Sequence, residues 1–598
     1  MMQVTERIAA FRAQMEAQHM AAVIVPTADS HASEYLADHF KARQWLCGFT
    51  GSAGTLVIGR QEAALFTDGR YFIQAQNQLE GSGVTLMRMG TAGTPTEEAY
   101  LDSLTKEGDT VGIDFSVVSA ASADAMRAHL SARGVSLADT GDWFAKLWQD
   151  RPPMPQGKAF LLETCYTGRS TQEKLSAIRD VMSREKADVH VCNVLDDIAW
   201  TLNVRGSDVL YTPVVMSYLM ITKNDATWFV DEAKVDDALR AALLASGVQV
   251  RGYGEIVQAL GNLAPGTRVM ADSKKMTASL IAALSQAELV QHENPAMRMK
   301  AHKNSVELEN LRQAHIRDGL AVTHLMYWLK TRVGKEPMTE ISVSDRLLAL
   351  RKEQPHFISP SFSTICAYRD HAAMMHYSAT PETDVALEPR DLLLIDSGGQ
   401  YLEGTTDITR TFALGDVKEE QKKHFTAVLC GMLGLANAKF LYGVTGIGLD
   451  ILARGPMWDL GIDYRCGTGH GVGYLLSVHE GPNSFRWYKS ATRSEDTVLE
   501  EGMVTTDEPG IYIEGSHGIR TENELVCRKL EENEYGQFMG FEVITCAPID
   551  LDAVIPEQMS PRQREQLNAY HAFVRDTLIG LIEDAQEREW LMHATRAI

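Results

Sequence analysis

The sequence predicts a multidomain protein of mixed α/β and α+β class. Two tandem α/β domains precede a third region that opens on a long helix and continues mainly in strands. Three observations carry this. At 598 residues the chain is too long for one hydrophobic core. A helix-then-strand pattern at its start recurs after residue 170. Between the two occurrences lies Arg151-Pro152-Pro153-Met154-Pro155, a stiff stretch that cannot continue a helix and reads as a linker.

Taken in order, Ile8, Phe11 and Met15 have helical spacing, and Ala21 to Val25 form an apolar run expected to be a buried strand. Leu175, Ile178 and Met182 repeat the helical spacing, followed by Val189, Val191 and Val194 as a strand. Asn304 and Glu307 have the spacing of a capping box, which predicts a helix running to about Lys330. Strand and turn signals dominate from Ile358 to Ile544. After Ser560-Pro561, the residues Leu567, Tyr570, Val574, Leu578 and Leu581 predict a last helix, packed on the third domain or, on a sharper reading, offered to a second copy. The expected division is 1–155, 156–303, 304–545 and 546–598, the last part a helical extension.

The formal charge is −22, from 57 Lys and Arg against 79 Asp and Glu. That balance argues against nucleic acid or an anionic membrane as the partner, because phosphate recognition needs a basic patch. No stretch is long and apolar enough to span a bilayer, and Met1 to Gln18 has no apolar core of the secretory kind. Eight singly scattered cysteines show no zinc-knuckle or disulfide spacing. A cytoplasmic protein with reduced thiols is expected.

The chemistry concentrates between residues 370 and 526. Leu392 to Ser397, a glycine-flanked turn and Thr405 to Arg410 read as two strands. A turn centred on Tyr401-Leu402 would set Asp396 across from Asp407, about 4.5–5.5 Å apart at Cβ. Thr505 to Ile511 and Gly518 to Glu522 repeat the arrangement, and a turn centred on Gly515 sets Glu508 opposite Glu522. Gly467-Thr468-Gly469-His470-Gly471-Val472-Gly473, between the hairpins, adds one imidazole. Singly, each of these residues is more often a turn former or a strand end than a ligand; their joint occurrence reverses that. Four carboxylates and one histidine balance two dications, whereas without metal their burial would be costly. Oxygen-rich ligation favours Mn, Co or Zn. Two such ions about 3.5–4 Å apart can share a water and lower its pKa.

The strings Ile395-Asp396-Ser397-Gly398, Gly404 to Arg410, Gly467 to Gly473, Val478-His479-Glu480-Gly481-Pro482, Asp507-Glu508-Pro509-Gly510 and Gly518 to Asn523 resemble the pita-bread metallopeptidases, and most closely aminopeptidase P of the three-domain kind. Trp45 to Gly54, Phe66 to Phe72 and Leu195 to Trp200 resemble its two creatinase-like N-terminal domains. The resemblance implies two creatinase-like α/β domains followed by a pita-bread catalytic domain. It implies two divalent ions, Mn2+ foremost with Zn2+ or Co2+ as alternatives, held by Asp396, Asp407, His470, Glu508 and Glu522. It places His376 over the substrate and His479 on the peptide oxygen, and assigns Arg520 to orienting a ligand carboxylate and Glu508 to taking a proton from water. The implied activity is removal of the first residue from peptides with proline second, by a homodimer. Only the resemblance carries the proline preference.

Competing readings are an Xaa-Pro dipeptidase, a methionine aminopeptidase, a creatinase-like amidinohydrolase and a non-catalytic pita-bread binding module. The upstream motifs disfavour the first two, and the complete ligand set disfavours the others. One position departs from the family pattern: Cys466 stands where the family has a histidine. A thiol cannot donate like an imidazole, and its thiolate could approach a metal ion, so reduced or altered activity is expected.

Overall fold

The computed structural model describes residues 2–489 and 497–598; Met1, where the N-terminal helical reading begins, lies outside them. Two compact units result: Met1–Leu162 with Arg169–Ala296, and Glu163–Gly168 with Met297–Ile598.

The first unit holds two six-stranded sheets. In the first, β1 (Ala22–Pro26), β2 (Thr55–Gly59), β3 (Ala63–Thr67), β4 (Thr85–Arg88), β5 (Thr110–Ile113) and β6 (Ser136–Asp139) take the order β4-β3-β2-β1-β5-β6. The second is built from β7 (Val189–Cys192), β8 (Ser217–Thr222), β9 (Ala226–Val230), β10 (Val248–Gly252), β11 (Arg268–Ala271) and β12 (Glu288–Gln291), in the order β10-β9-β8-β7-β11-β12. The strand directions also match: β1 runs antiparallel to β2 and parallel to β5, as β7 does to β8 and β11. The tandem similarity, visible in the sequence only as a pattern, is thus one topology used twice. The helix Val4–Ala17 buries Ile8, Phe11 and Met15, and Thr171–Arg184 buries Leu175, Ile178 and Met182. Strand β7 ends at Cys192, so Val194, read as part of it, instead caps the helix Leu195–Leu202.

The longest helix of the second unit is Ser305–Arg332. Asn304 Oδ1 accepts from the backbone N–H groups of Val306 and Glu307 at 2.9 and 3.1 Å, and the Glu307 side chain returns to the Asn304 N–H at 3.0 Å. Two hairpins and a six-stranded sheet follow, but the region is not all strand. Glu419–Ala436 and Gly446–Asp459 are helices. The run Val428 to Ala436 is almost continuously apolar and buried on several sides, so its periodicity does not separate helix from buried strand. The helix Pro561–Leu578, expected as the last but followed by another at Ala585–Ala594, places Leu567, Tyr570, Val574 and Leu578 in the same buried cluster as Phe425, Val428 and Leu429. Leu581 lies beyond the helix and is 49% exposed, because the helix stops three residues earlier than its apolar spacing suggests.

Candidate metal centre

Both carboxylate-bearing hairpins are interrupted, the first at Asp407 and the second at Glu508 and Glu522, while Asp396 stays within its ladder. Strand Leu392–Ser397 pairs with Ile408–Ala413, and Gly399–Tyr401 pairs with Gly404–Thr405, all in one register. Tyr401 faces Gly404, so the turn is Leu402-Glu403, one residue later than expected from the sequence. Asp396 consequently faces Thr409 and not Asp407. The offset is two residues, a full strand period, so Asp407 keeps to the same side of the ribbon. Asp407 itself sits in the break between Gly404–Thr405 and Ile408–Ala413.

The second hairpin has the register read from the sequence. Ile513 faces His517, which centres the turn on Gly515. Strands Val504–Asp507 and Asn523–Asn533 continue the same alignment, with Asp507 facing Asn523. Glu508 and Glu522 occupy the gap where the ribbon passes from one sheet to another. Leaving the ladder frees these side chains from strict alternation, and so lets them converge.

Ligand atoms of Asp407, His470 and Glu522 all lie within 4.8 Å of one another. His470 Nε2 is 3.5 Å from Asp407 Oδ2 and 3.6 Å from Glu508 Oε1. Its Nδ1 lies 2.9 Å from the Gly471 carbonyl, which only accepts, so Nδ1 carries a proton and Nε2 is the nitrogen turned toward the carboxylates. In the Nδ1–H tautomer that nitrogen has the lone pair a metal ligand needs. Asp396 joins through Arg520, whose Nη2 pairs with its Oδ2; its buried Oδ1 has no hydrogen-bond partner among the described residues. Burial, with the charges of Asp396, Glu508 and Glu524, pushes the Asp407 carboxyl well above the ordinary range. Burial, with Asp407, Glu508 and Asp396, does the same to Glu522. The donor set therefore fits divalent ions: cations would relieve the repulsion and occupy the orphaned oxygen.

Of the remaining predicted residues, His479 and Arg520 border this cluster. The His479 ring meets that of His470 edge-on, 4.2 Å between centroids at 82°. His376 is half-buried just after the 3-10 turn Arg369–Ala373. That turn packs tightly on strand His517–Arg520, because a Cβ at Gly518 would come within 1.8 Å of the Ala372 carbonyl. Arg520 contacts Asp396, lies 4.0 Å from Glu508 Oε2 and donates to the Tyr512 hydroxyl at 2.6 Å. Cys466 is partly buried and packs against the main apolar cluster.

Sequence reasoning missed the groups that hold the candidate ligands. Thr409 Oγ1 donates to Glu522 Oε2 at 2.7 Å and accepts from Arg520 Nε at 3.1 Å. Thr506 Oγ1 accepts from the His470 N–H at 3.0 Å. Glu524 Oε1 accepts from the Asp407 N–H at 2.8 Å, and its other oxygen lies 3.2 Å from His315 Nε2. Each of Thr409, Thr506 and Glu524 stands two residues from a ligand, so the strand period would have found them.

Residues 309–529 match the model of metallopeptidase family M24, and 537–598 match the C-terminal region of that family. Residues 7–147 and 150–307 each match a creatinase/prolidase N-terminal domain. A probable Xaa-Pro aminopeptidase P of Sordaria macrospora is 36% identical over 610 residues, covering 99% of each chain. The chain belongs to the aminopeptidase P family of M24 metallopeptidases. Aminopeptidase P2 of Arabidopsis thaliana is 35% identical over 620 residues, 96% of this chain and 86% of that one. A solved aminopeptidase P relative, the X-prolyl aminopeptidase of Caenorhabditis elegans, is described as a cytosolic enzyme with a di-nuclear active site. It matches with a TM-score of 0.94 at 31% identity over 100% of both chains. As in that family, two creatinase-like α/β domains precede a pita-bread catalytic domain.

Proposed function

We propose that the chain is a metal-dependent aminopeptidase that hydrolyses the bond between an N-terminal residue and a penultimate proline. The observation that carries it is the convergence of Asp407, His470 and Glu522, with Glu508 and Asp396 alongside, in a chain related end to end to Xaa-Pro aminopeptidases. Asp396, Asp407, His470, Glu508 and Glu522 are assigned as ligands of two divalent ions, Mn2+ foremost and Zn2+ or Co2+ as alternatives. Such ions would polarise the scissile carbonyl and lower the pKa of water. Glu508 is assigned as proton acceptor: its side chain is 22% exposed, against 11% for Asp396 and 7% for Asp407, and Glu522 is buried. His479 is assigned to donate to the carbonyl oxygen as charge develops there. His376 is assigned to the substrate side, and Arg520 to holding Asp396 in place.

A cytoplasmic location and a homodimer belong to the same reading; among the described residues no helix is long and apolar enough to cross a membrane. The division at 155, 303 and 545 is proposed with it, supported by the spans of the four family matches. The test is hydrolysis of the tripeptides Arg-Pro-Pro and Arg-Ala-Pro by chelator-stripped protein reloaded with Mn2+, Zn2+ or Co2+. Metal-dependent cleavage of the first alone is expected; cleavage of Xaa-Pro dipeptides in preference would favour the dipeptidase reading.

A further inference from the structure

The two imidazoles of the site flank a break in the sheet: Gly471 pairs with Glu480, but His470 pairs with Ser484 and His479 lies outside the strand. His470 lies on the three-residue strand Gly469–Gly471, and His479 immediately precedes strand Glu480–Phe485. The pairing between these strands shifts register between His470 and Gly471. A broken ladder leaves the angle between flanking side chains unset.

One ammonium group spans both stretches. Lys303 Nζ donates to the Val472 carbonyl at 2.7 Å and pairs with Glu480 Oε1. Val472 follows His470 by two residues, and Glu480 follows His479 directly. Lys300 Nζ reaches the other oxygen of Glu480 at 2.6 Å. The side chains of Lys303, Glu480 and Lys300 are 1%, 2% and 6% exposed, so water does not weaken these contacts.

The root of Lys303 is fixed too. It immediately precedes Asn304, the cap of helix Ser305–Arg332, and its N–H donates to the Gly502 carbonyl at 3.0 Å. Gly502 has φ +87°, and a Cβ there would lie 2.7 Å from the Lys303 carbonyl oxygen, so glycine permits the approach.

We propose that Lys303 is a positioning residue that locks the His470 and His479 stretches together and so holds the two rings edge to face. An ammonium carries three donors, enough to serve a carbonyl and a carboxylate at once. Its effect on turnover rests on the aminopeptidase reading; its effect on metal affinity does not, because it acts through the backbone next to His470.

The test compares Lys303→Met with Lys300→Met, each of which removes one cation from the same carboxylate. Lys303→Met is expected to lower kcat about tenfold or more with KM moved less than about threefold, and to weaken Mn2+ binding by calorimetry about tenfold. Lys300→Met is expected to stay within about threefold of the parent in all three. A folded Lys303→Met protein with parental kcat and Mn2+ affinity overturns the proposal, as does equal loss in both variants. If Lys303→Met does not fold, Glu480→Gln keeps the size and an acceptor, and is expected to lower kcat about threefold with KM held; an unchanged kcat there overturns it. A parent chain that binds Mn2+ but cleaves no Xaa-Pro peptide would refute the aminopeptidase reading alone, and the calorimetric comparison would still decide the clamp.

Discussion

Arg520 Nη2 pairs with Asp396 Oδ2 while the hydroxyl of Tyr512 accepts from its Nη1, so one guanidinium ties a carboxylate of the first hairpin to the second hairpin. Arg520→Lys cannot reproduce this fork. Arg520→Lys and Arg520→Met are both expected to weaken Mn2+ binding about 10- to 100-fold with the fold retained. Calorimetric titration of the stripped proteins checks this.

Thr409 links the hairpins from the other side, donating to Glu522 and accepting from Arg520. Thr409→Val leaves a buried carboxylate oxygen without its donor, a cost of about 1–3 kcal/mol. A drop in Mn2+ affinity of about tenfold or more is expected, with recovery in Thr409→Ser.

Without metal, the raised pKa of the Asp407 carboxyl is a stability liability. The folded chain holds a proton that the unfolded chain releases, so from the unfolded value of about 4 upward this group costs stability as pH rises toward its folded pKa. Asp407→Asn is therefore expected to raise the melting temperature of chelator-treated protein at neutral pH and to lose the advantage near about pH 4. Calorimetry of both proteins across pH, with and without Mn2+, measures it, and Mn2+ should stabilise only the parent.

Acid should loosen the helix Pro561–Leu578, which carries His571. Burial, then the charges of Arg410, Arg575 and Arg596, pushes the His571 imidazole down to about 3. His571 Nε2 accepts the Ile549 N–H at 3.1 Å in the neutral form. The unfolded chain takes up a proton that the folded one refuses, so this contribution is complete above about pH 6.5 and declines as pH falls toward the folded value. Hydrogen exchange in Pro561–Leu578 is expected to accelerate between about pH 6.5 and about pH 4, and less so in His571→Gln.

Much of this was legible in the letters. Alternation and turn residues place Glu508 and Glu522 about Gly515 in the observed register, and charge balance nominates the ligands before any geometry. The first hairpin was misplaced by one turn residue because Tyr401-Leu402 and Leu402-Glu403 are locally equivalent turns; Tyr401 instead pairs with Gly404. The error kept Asp396 and Asp407 on one side only because it amounted to a full strand period. Helix Glu419–Ala436 was hidden because a helix buried on several sides has no polar face to mark its period. Lys303 was invisible for another reason: it meets Val472 and Glu480 across more than 160 residues, and no local pattern marks such a contact.

The central claim is tested most directly by anomalous diffraction from crystals of the full chain loaded with Mn2+. Two peaks about 3.5–4 Å apart are expected, ligated by Asp396, Asp407, His470, Glu508 and Glu522. Active crystals with no ion among these residues, or with one held by a different set, would contradict the account.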